Sequence, residues 1–415
     1  MIASEPEDLA EITRKTGEPP PLEEPRPATR VGAIDAYRGA VMLLMMAEVL
    51  EFAKVAAARP GSSTWSFLAL HQTHVDWSGM SLHDMIQPSF SFLVGVALPF
   101  SLASRERRGG KPRGAIGKAA WRALVLILLG VFLRSVGKPA TNWTFEDTLT
   151  QIGLGYLPLV LIGLAPVAWR YVAVVVLLVG YWGAFALWPA PGPEFDYAGV
   201  GVPADWPHHA TGLASHWNKN SNLAMAFDRW FLNLFPRQTP FAFNRGGYAT
   251  LSFIPTLATM VLGLLAGGWL IKAIPDWAKL LRLALAGGVC LGLAWLGHHF
   301  GLDPIVKRIW TPGWALASGG VCFLALAVFY LTIDVPNAPG WSFPLRVVGM
   351  NSIAAYVIAH LTGDFLVSTF RTHLGDRAFR VFGAAYEPLL MGGVVLTSFW
   401  LILSWMDRRG LYLRV

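Results

Sequence analysis

Long apolar runs alternate with short polar breaks along nearly the whole chain. Runs of about 20 residues, the length that crosses a bilayer as a helix, recur at 34–58, 84–104, 116–136, 149–167, 171–189, 249–272, 280–300, 312–333, 344–368 and 387–405. The pattern predicts ten spans. Two stretches stand outside it. Residues 1–29 are polar, rich in Pro and Glu and without an apolar core, which reads as a disordered cytoplasmic tail rather than a signal peptide. Residues 190–248 are too polar to span and too long for a turn, which predicts a cap over one face. No internal repeat stands out, which argues against a transporter built from duplicated halves.

Composition strengthens this reading. Hydrophobic residues make up 54% of the 415 and charged residues only 14%, against about a quarter charged in a soluble domain. The expected fold class is an all-α polytopic transmembrane bundle. The net charge of +7 then reports loop sidedness, not nucleic-acid binding. The segment 105–122 carries Arg105, Arg107, Arg108, Lys111, Arg113, Lys118 and Arg122 against Glu106. Lys272, Lys279 and Arg282 fall on the same side, as do Arg408, Arg409 and Arg414. By the positive-inside rule these loops are cytoplasmic, with N-in and C-in termini. The loop around His74 and the cap 190–248 then face outward. Cys290 and Cys322 lie inside apolar spans and read as buried lone thiols. The absence of a Walker loop, of GxSxG and of a strand-borne GxGxxG argues against ATP-driven transport and ordinary serine hydrolysis.

Candidate chemistry gathers in Leu70–Pro88, LHQTHVDWSGMSLHDMIQP, which sets His71, His74, Asp76, His83 and Asp84 between two spans. A neutral imidazole such as His74 can take a proton from a nucleophile or accept an acyl group. Read alone, it is more often a solvated loop histidine, by about two to one. Trp77 and Gly79 predict a packed turn around it. Asp84 reads as a helix-start acid that could also orient a histidine. Asp35 and Arg38 share a helix face, and Glu48 and Glu51 lie deeper in the same span, where ionisable groups face a partner or a wet cavity. Lys307 precedes the eighth span. Gln151, Asn351, Ser352, Tyr356 and His360 read as interhelical hydrogen bonding or as cavity lining. His208 with His209, and His298 with His299, lack the spacing of a metal site, and no metal is expected.

Taken together, these segments resemble the membrane domain of the heparan-α-glucosaminide N-acetyltransferase family and its bacterial relatives. The matching pieces are IDAYRG (34–39), HVDWSG (74–79) with SLHDMIQPSFSFLVG (81–95), TLTQIGLGYL (148–157), NLAMAFDRWFL (222–232), DPIVKRIWTP (303–312) and MNSIAAYVIAH (350–360). They occur in the family order along residues 30–415. The resemblance implies a bacterial inner-membrane acyltransferase moving acetyl from cytoplasmic acetyl-CoA to an amino sugar or glycan on the outer side, among membrane lipids and as a homodimer. It implies His74 as the active-site histidine and Asp84 as its partner. Lys307, Asn351 and Ser352 match positions lining the same cavity. Glu48 and Trp77 are further candidates for substrate contact, and Arg38, Lys118 and Arg122 are candidates for the cofactor phosphates by side and charge alone.

The chain departs from the family pattern at Val49, where members carry Asn, at Ile152, where they carry Arg, and at NRGG 244–247, where they carry an acidic DPEG. Two other readings use the same residues: a proton-coupled permease with Glu48, Glu51 and His360 as relay, and a non-catalytic membrane protein of the same fold.

Overall fold

The computed structural model describes residues 31–109 and 111–413; the tail read at 1–29 and Arg414 lie outside them. The described chain forms α1 (Gly32–Met46), α2 (Phe52–Ala58), α3 (Ser63–Gln72), α4 (Ile86–Arg107), α5 (Pro112–Ser135), α6 (Thr148–Leu164) and α7 (Val167–Leu187). After the cap come α8 (Leu223–Phe231), α9 (Phe253–Leu270), α10 (Asp276–His299), α11 (Pro312–Phe329), α12 (Phe343–Met350), α13 (Ser352–Leu374) and α14 (Glu387–Arg408). No strand occurs among the described residues. Eight of the helices, α4, α5, α7, α9, α10, α11, α13 and α14, are long and apolar enough to cross a membrane. The shorter α1 and α6 complete the ten positions read from the sequence.

Two of those spans are broken. The run 34–58 is not one helix: α1 stops at Met46, residues 47–50 form a 3-10 turn, and Glu51 adopts a left-handed conformation with φ 48°. The chain then turns into the hairpin α2–α3. Gln72, at the end of α3, supplies the bonds that the broken helix lacks. Its Oε1 accepts from Phe52 N at 2.6 Å and its Nε2 donates to the Ala47 carbonyl at 2.6 Å. The run 344–368 breaks at Asn351, so that α12 is a separate short helix and α13 runs on to Leu374.

Close packing is set by small residues, as expected where lipid gives no hydrophobic drive between helices. A β-carbon at Gly95 of α4 would overlap the Met260 carbonyl, and one at Gly263 or Gly267 of α9 would overlap the carbonyl of Phe92 or Val96. α9 is therefore the buried centre of the bundle. Gly39 of α1 and Gly349 of α12 make a similar backbone contact. Asp334 caps α1 from the far end of α11, its carboxylate accepting from Gly32 N and Ala33 N at 2.8 Å each. By contrast α7 and α10 present Val175, Val176, Val179, Leu285 and Val289 outward.

Residues 190–248 fold over one end, here termed the capped end; the opposite, basic end carries Arg105, Arg107, Arg108, Lys111, Lys272 and Arg408. Aromatic packing and asparagines order the cap. Trp217 stacks on Phe185 of α7 at a centroid distance of 6.3 Å. Asn220 donates to the carbonyls of Val200 and Asn244, and Asn222 caps α8 by accepting from Met225 N at 3.1 Å. Buried backbone groups are thereby satisfied without a regular lattice.

Candidate active site

Two loops at the capped end hold the site. The loop 73–82 and the loop 303–311 are joined by a single bridge between Ser78 and Val306 and by Gly79 N donating to the Ile305 carbonyl at 3.1 Å. Gly79 has φ +120°, which suits glycine. Arg308 reinforces the joint. It donates to the carbonyls of Val75 and Gly246 and lies over the Tyr248 ring, 4.9 Å from its centroid.

Asp84 sits in a 3-10 turn, residues 83–85, that leads into α4. Its carboxylate is directed backward, not along its own helix. Oδ2 accepts from Val75 N at 3.3 Å and from Ser81 N at 3.1 Å, and lies 3.0 Å from Ser81 Oγ. Oδ1 lies 2.7 Å from His74 Nδ1 and 3.2 Å from Lys307 Nζ. A carboxylate only accepts, so Nδ1 carries the ring proton and Nε2 keeps the lone pair. Lys307 Nζ is also 3.1 Å from Nδ1. His74 is held below its usual pKa, chiefly by burial and then by the Lys307 charge, against the Asp84 bond. Burial likewise pushes the Lys307 ammonium down to about 8. The imidazole is thus kept neutral with a defined tautomer, which is what a base or acyl acceptor needs.

His74 opens on a cavity of about 380 Å³ that is also lined by Glu48, His83, Arg134, Glu146, Asp147, Tyr248, Lys307 and His360. A second cavity, of about 410 Å³, lies toward the basic end and is lined by Arg38, Arg122, Ile152, Tyr156, Ser352 and an apolar wall including Val94, Leu98 and Leu126. Thr148 and Tyr356 line both. The two cavities are neighbours across those side chains.

The sequence-predicted residues divide accordingly. His74, Asp84 and Lys307 form one cluster, and Glu48 lines the same cavity, paired with His83 at 3.0 Å. Arg38, Arg122 and Ser352 line the second cavity. Lys118 is exposed on α5 and lines neither. Trp77 is buried at 3% exposure beneath the cap, packed with Trp217 and Val306, and does not reach the cavity. Asn351 is fully buried and spends its amide on the segment after α14, donating to the Leu411 carbonyl at 2.9 Å and accepting from Leu413 N at 3.2 Å. Arg134, Glu146, Thr148 and Tyr248 line the site without having been singled out. The acid pair Glu146–Asp147 at the mouth of a span was the available signal for Glu146 and for Asp147, which lines the same cavity.

No family model matches the sequence. The chain is similar to heparan-alpha-glucosaminide N-acetyltransferase of Homo sapiens, 22% identical over 415 residues that cover 91% of this chain and 58% of the human protein. It is likewise 22% identical to the Mus musculus enzyme of that name, over an alignment of 417 positions that covers 91% of this chain and 59% of the mouse protein. These matches support its membership of that family. The chain spans less than two thirds of the length of those relatives. Within the family pattern, the departure at NRGG has a structural correlate. Gly247 has φ +79°, and a β-carbon there would come within 2.6 Å of Trp77 Cζ3. Ile152 is an apolar wall residue of the second cavity, and Val49 belongs to the 3-10 turn, its carbonyl packed on Gly392.

Proposed function

We propose that this protein is a membrane acetyltransferase that passes an acetyl group from acetyl-CoA to an amino-sugar or glycan acceptor. The observation that carries the reading is the His74–Asp84–Lys307 cluster, in a cavity that shares two wall residues with a second cavity bearing Arg38 and Arg122. The second cavity suits the donor: two guanidinium groups can pair with phosphates beside apolar walls that accept a pantetheine arm. By the positive-inside rule its end is cytoplasmic, and the acceptor cavity opens under the cap on the other side.

The chain's own residues then have distinct tasks. Asp84 fixes the His74 ring and its tautomer. Lys307 and burial keep that ring neutral. His74 Nε2 removes a proton from the acceptor as it attacks the thioester carbonyl, or first takes the acetyl group itself. Glu48 and Glu146 offer carboxylates to an acceptor ammonium. A trapped acetyl group on His74 identifies the two-step route, and strictly sequential kinetics excludes it.

The deciding experiment incubates purified protein with isotopically labelled acetyl-CoA and a panel of amino sugars, followed by mass spectrometry. Label appears on an amine with the wild type and not with His74→Ala. Retained turnover in His74→Ala removes His74 from its role. Proton-coupled uptake by proteoliposomes, with no transfer, identifies a permease instead.

A further inference from the structure

The proposed chemistry has a surplus proton. An acceptor that binds as R–NH₃⁺ and leaves as an amide keeps one of its three hydrogens, gives one to the departing thiolate, and must shed the third. His74 can take that proton at Nε2 but must release it before the next turnover, because only the neutral ring can act as base again. Asp84 is saturated by its donors and sealed from water. The proton needs another way out.

His83 lies beside it. The two imidazole centroids are 4.5 Å apart, close enough for direct transfer or transfer through one water. His83 is 5% exposed. Its Nε2 is 3.0 Å from Glu48 Oε1, so by the same donor logic Nε2 carries a proton and Nδ1 a lone pair. That Nδ1 is buried and has no hydrogen-bond partner among the described residues. A buried lone pair without a donor is costly, and here it belongs to the ring whose centroid is 4.5 Å from that of His74. Glu48 is 57% exposed in the cavity. Its position is built by the helix break at 47–51 and the Gln72 clamp. The charged and titratable groups around the pair are His74, Asp84, Lys307 and His360, with Arg134, Glu146 and Asp147 in the same cavity.

We propose that His83 is the proton carrier of the site, taking the surplus proton from His74 at Nδ1 while its Nε2 proton passes to Glu48 and so to cavity water. The inference rests on the acetyltransferase reading. Each step moves one H⁺. His74 regains its Nδ1–H tautomer, whereas His83 is left as the Nδ1–H tautomer and returns to Nε2–H by proton exchange with water before the next turnover.

The test compares two acceptors with full-length purified protein: glucosamine, which arrives largely as an ammonium, and an aromatic amine, which arrives neutral and sheds no surplus proton. His83→Gln, which can still hydrogen-bond to Glu48, is expected to lose at least about tenfold in kcat with glucosamine. Its loss on the aromatic amine should be smaller, so that the ratio of kcat for glucosamine to kcat for the aromatic amine falls by at least about fivefold. Added imidazole should restore glucosamine turnover in His83→Ala. Equal losses on both acceptors, or no loss on either, overturns the proton-carrier role while wild-type transfer stands. Absence of transfer by the wild type overturns the reading beneath it.

Discussion

The Lys307 ammonium stands 3.2 Å from Asp84 Oδ1, and both side chains are almost wholly buried. Each compensates the other, so the pair matters more when half of it is removed than when both are present. Asp84→Ala should therefore cost about 3–5 kcal/mol of stability, read as a lower thermal midpoint in detergent, and should also lose transfer.

Lys307 also acts on the base. In the proposed reaction His74 works as the neutral ring, so rate should rise with pH through its lowered pKa and level off above it, with the acid limb below the ordinary histidine value of about 6.5. Lys307→Met removes a nearby positive charge that disfavours imidazolium, so the acid limb should move to higher pH. A pH profile of kcat/KM for both proteins checks the direction. An unmoved limb means that the Lys307 charge does not reach the ring.

The two arginines of the second cavity should separate from the nearby exposed lysine. Arg38→Ala and Arg122→Ala should each raise KM for acetyl-CoA by about tenfold, the worth of a charge-assisted contact of about 1.5 kcal/mol. KM for the acceptor should change little. Lys118→Ala, on the exposed face of α5, should leave both constants unchanged. Initial-rate kinetics with each substrate varied in turn distinguishes the three.

Asn351→Leu should unfasten the segment after α14 and leave Leu411 and Leu413 backbone groups without their partner, at about 1–3 kcal/mol. Limited proteolysis should then cut after Arg408 faster than in the wild type. The acceptor KM should remain near the wild-type value, because Asn351 does not line the acceptor cavity.

Gly247→Val places a branched side chain at φ +79° against Trp77. The cap loop must then move off the 73–82 loop. The expected result is a raised acceptor KM and lower thermal stability, with the acetyl-CoA KM little changed.

The spans were legible because a 20-residue apolar run is a local property of sequence. Their breaks were not, because they depend on distant partners. The turn at 47–51 is clamped by Gln72 and the break at Asn351 by Leu411 and Leu413, and neither contact leaves a trace in the hydropathy pattern. The site was legible in part for the same reason. His74 and Asp84 are ten residues apart in one motif, whereas Lys307 joined them only through the family resemblance. Trp77 and Asn351 show the limit: a polar or aromatic residue looks the same in sequence whether it faces a cavity or braces a loop. Arg134 was hidden as the last turn of an apolar helix.

Thr148 and Tyr356, which wall both cavities, carry a consequence for the membrane itself. In the proposed acetyltransferase, water in each chamber would take the electrical potential of the side it opens to, so a transmembrane voltage would drop mainly across the wall that the two chambers share. Charge moved through it would work with or against the field at about 2.3 kcal/mol per elementary charge for 100 mV. A neutral acetyl group passing through it would be indifferent to the voltage. The same two side chains that bring the chambers together would thus also keep the bilayer insulated.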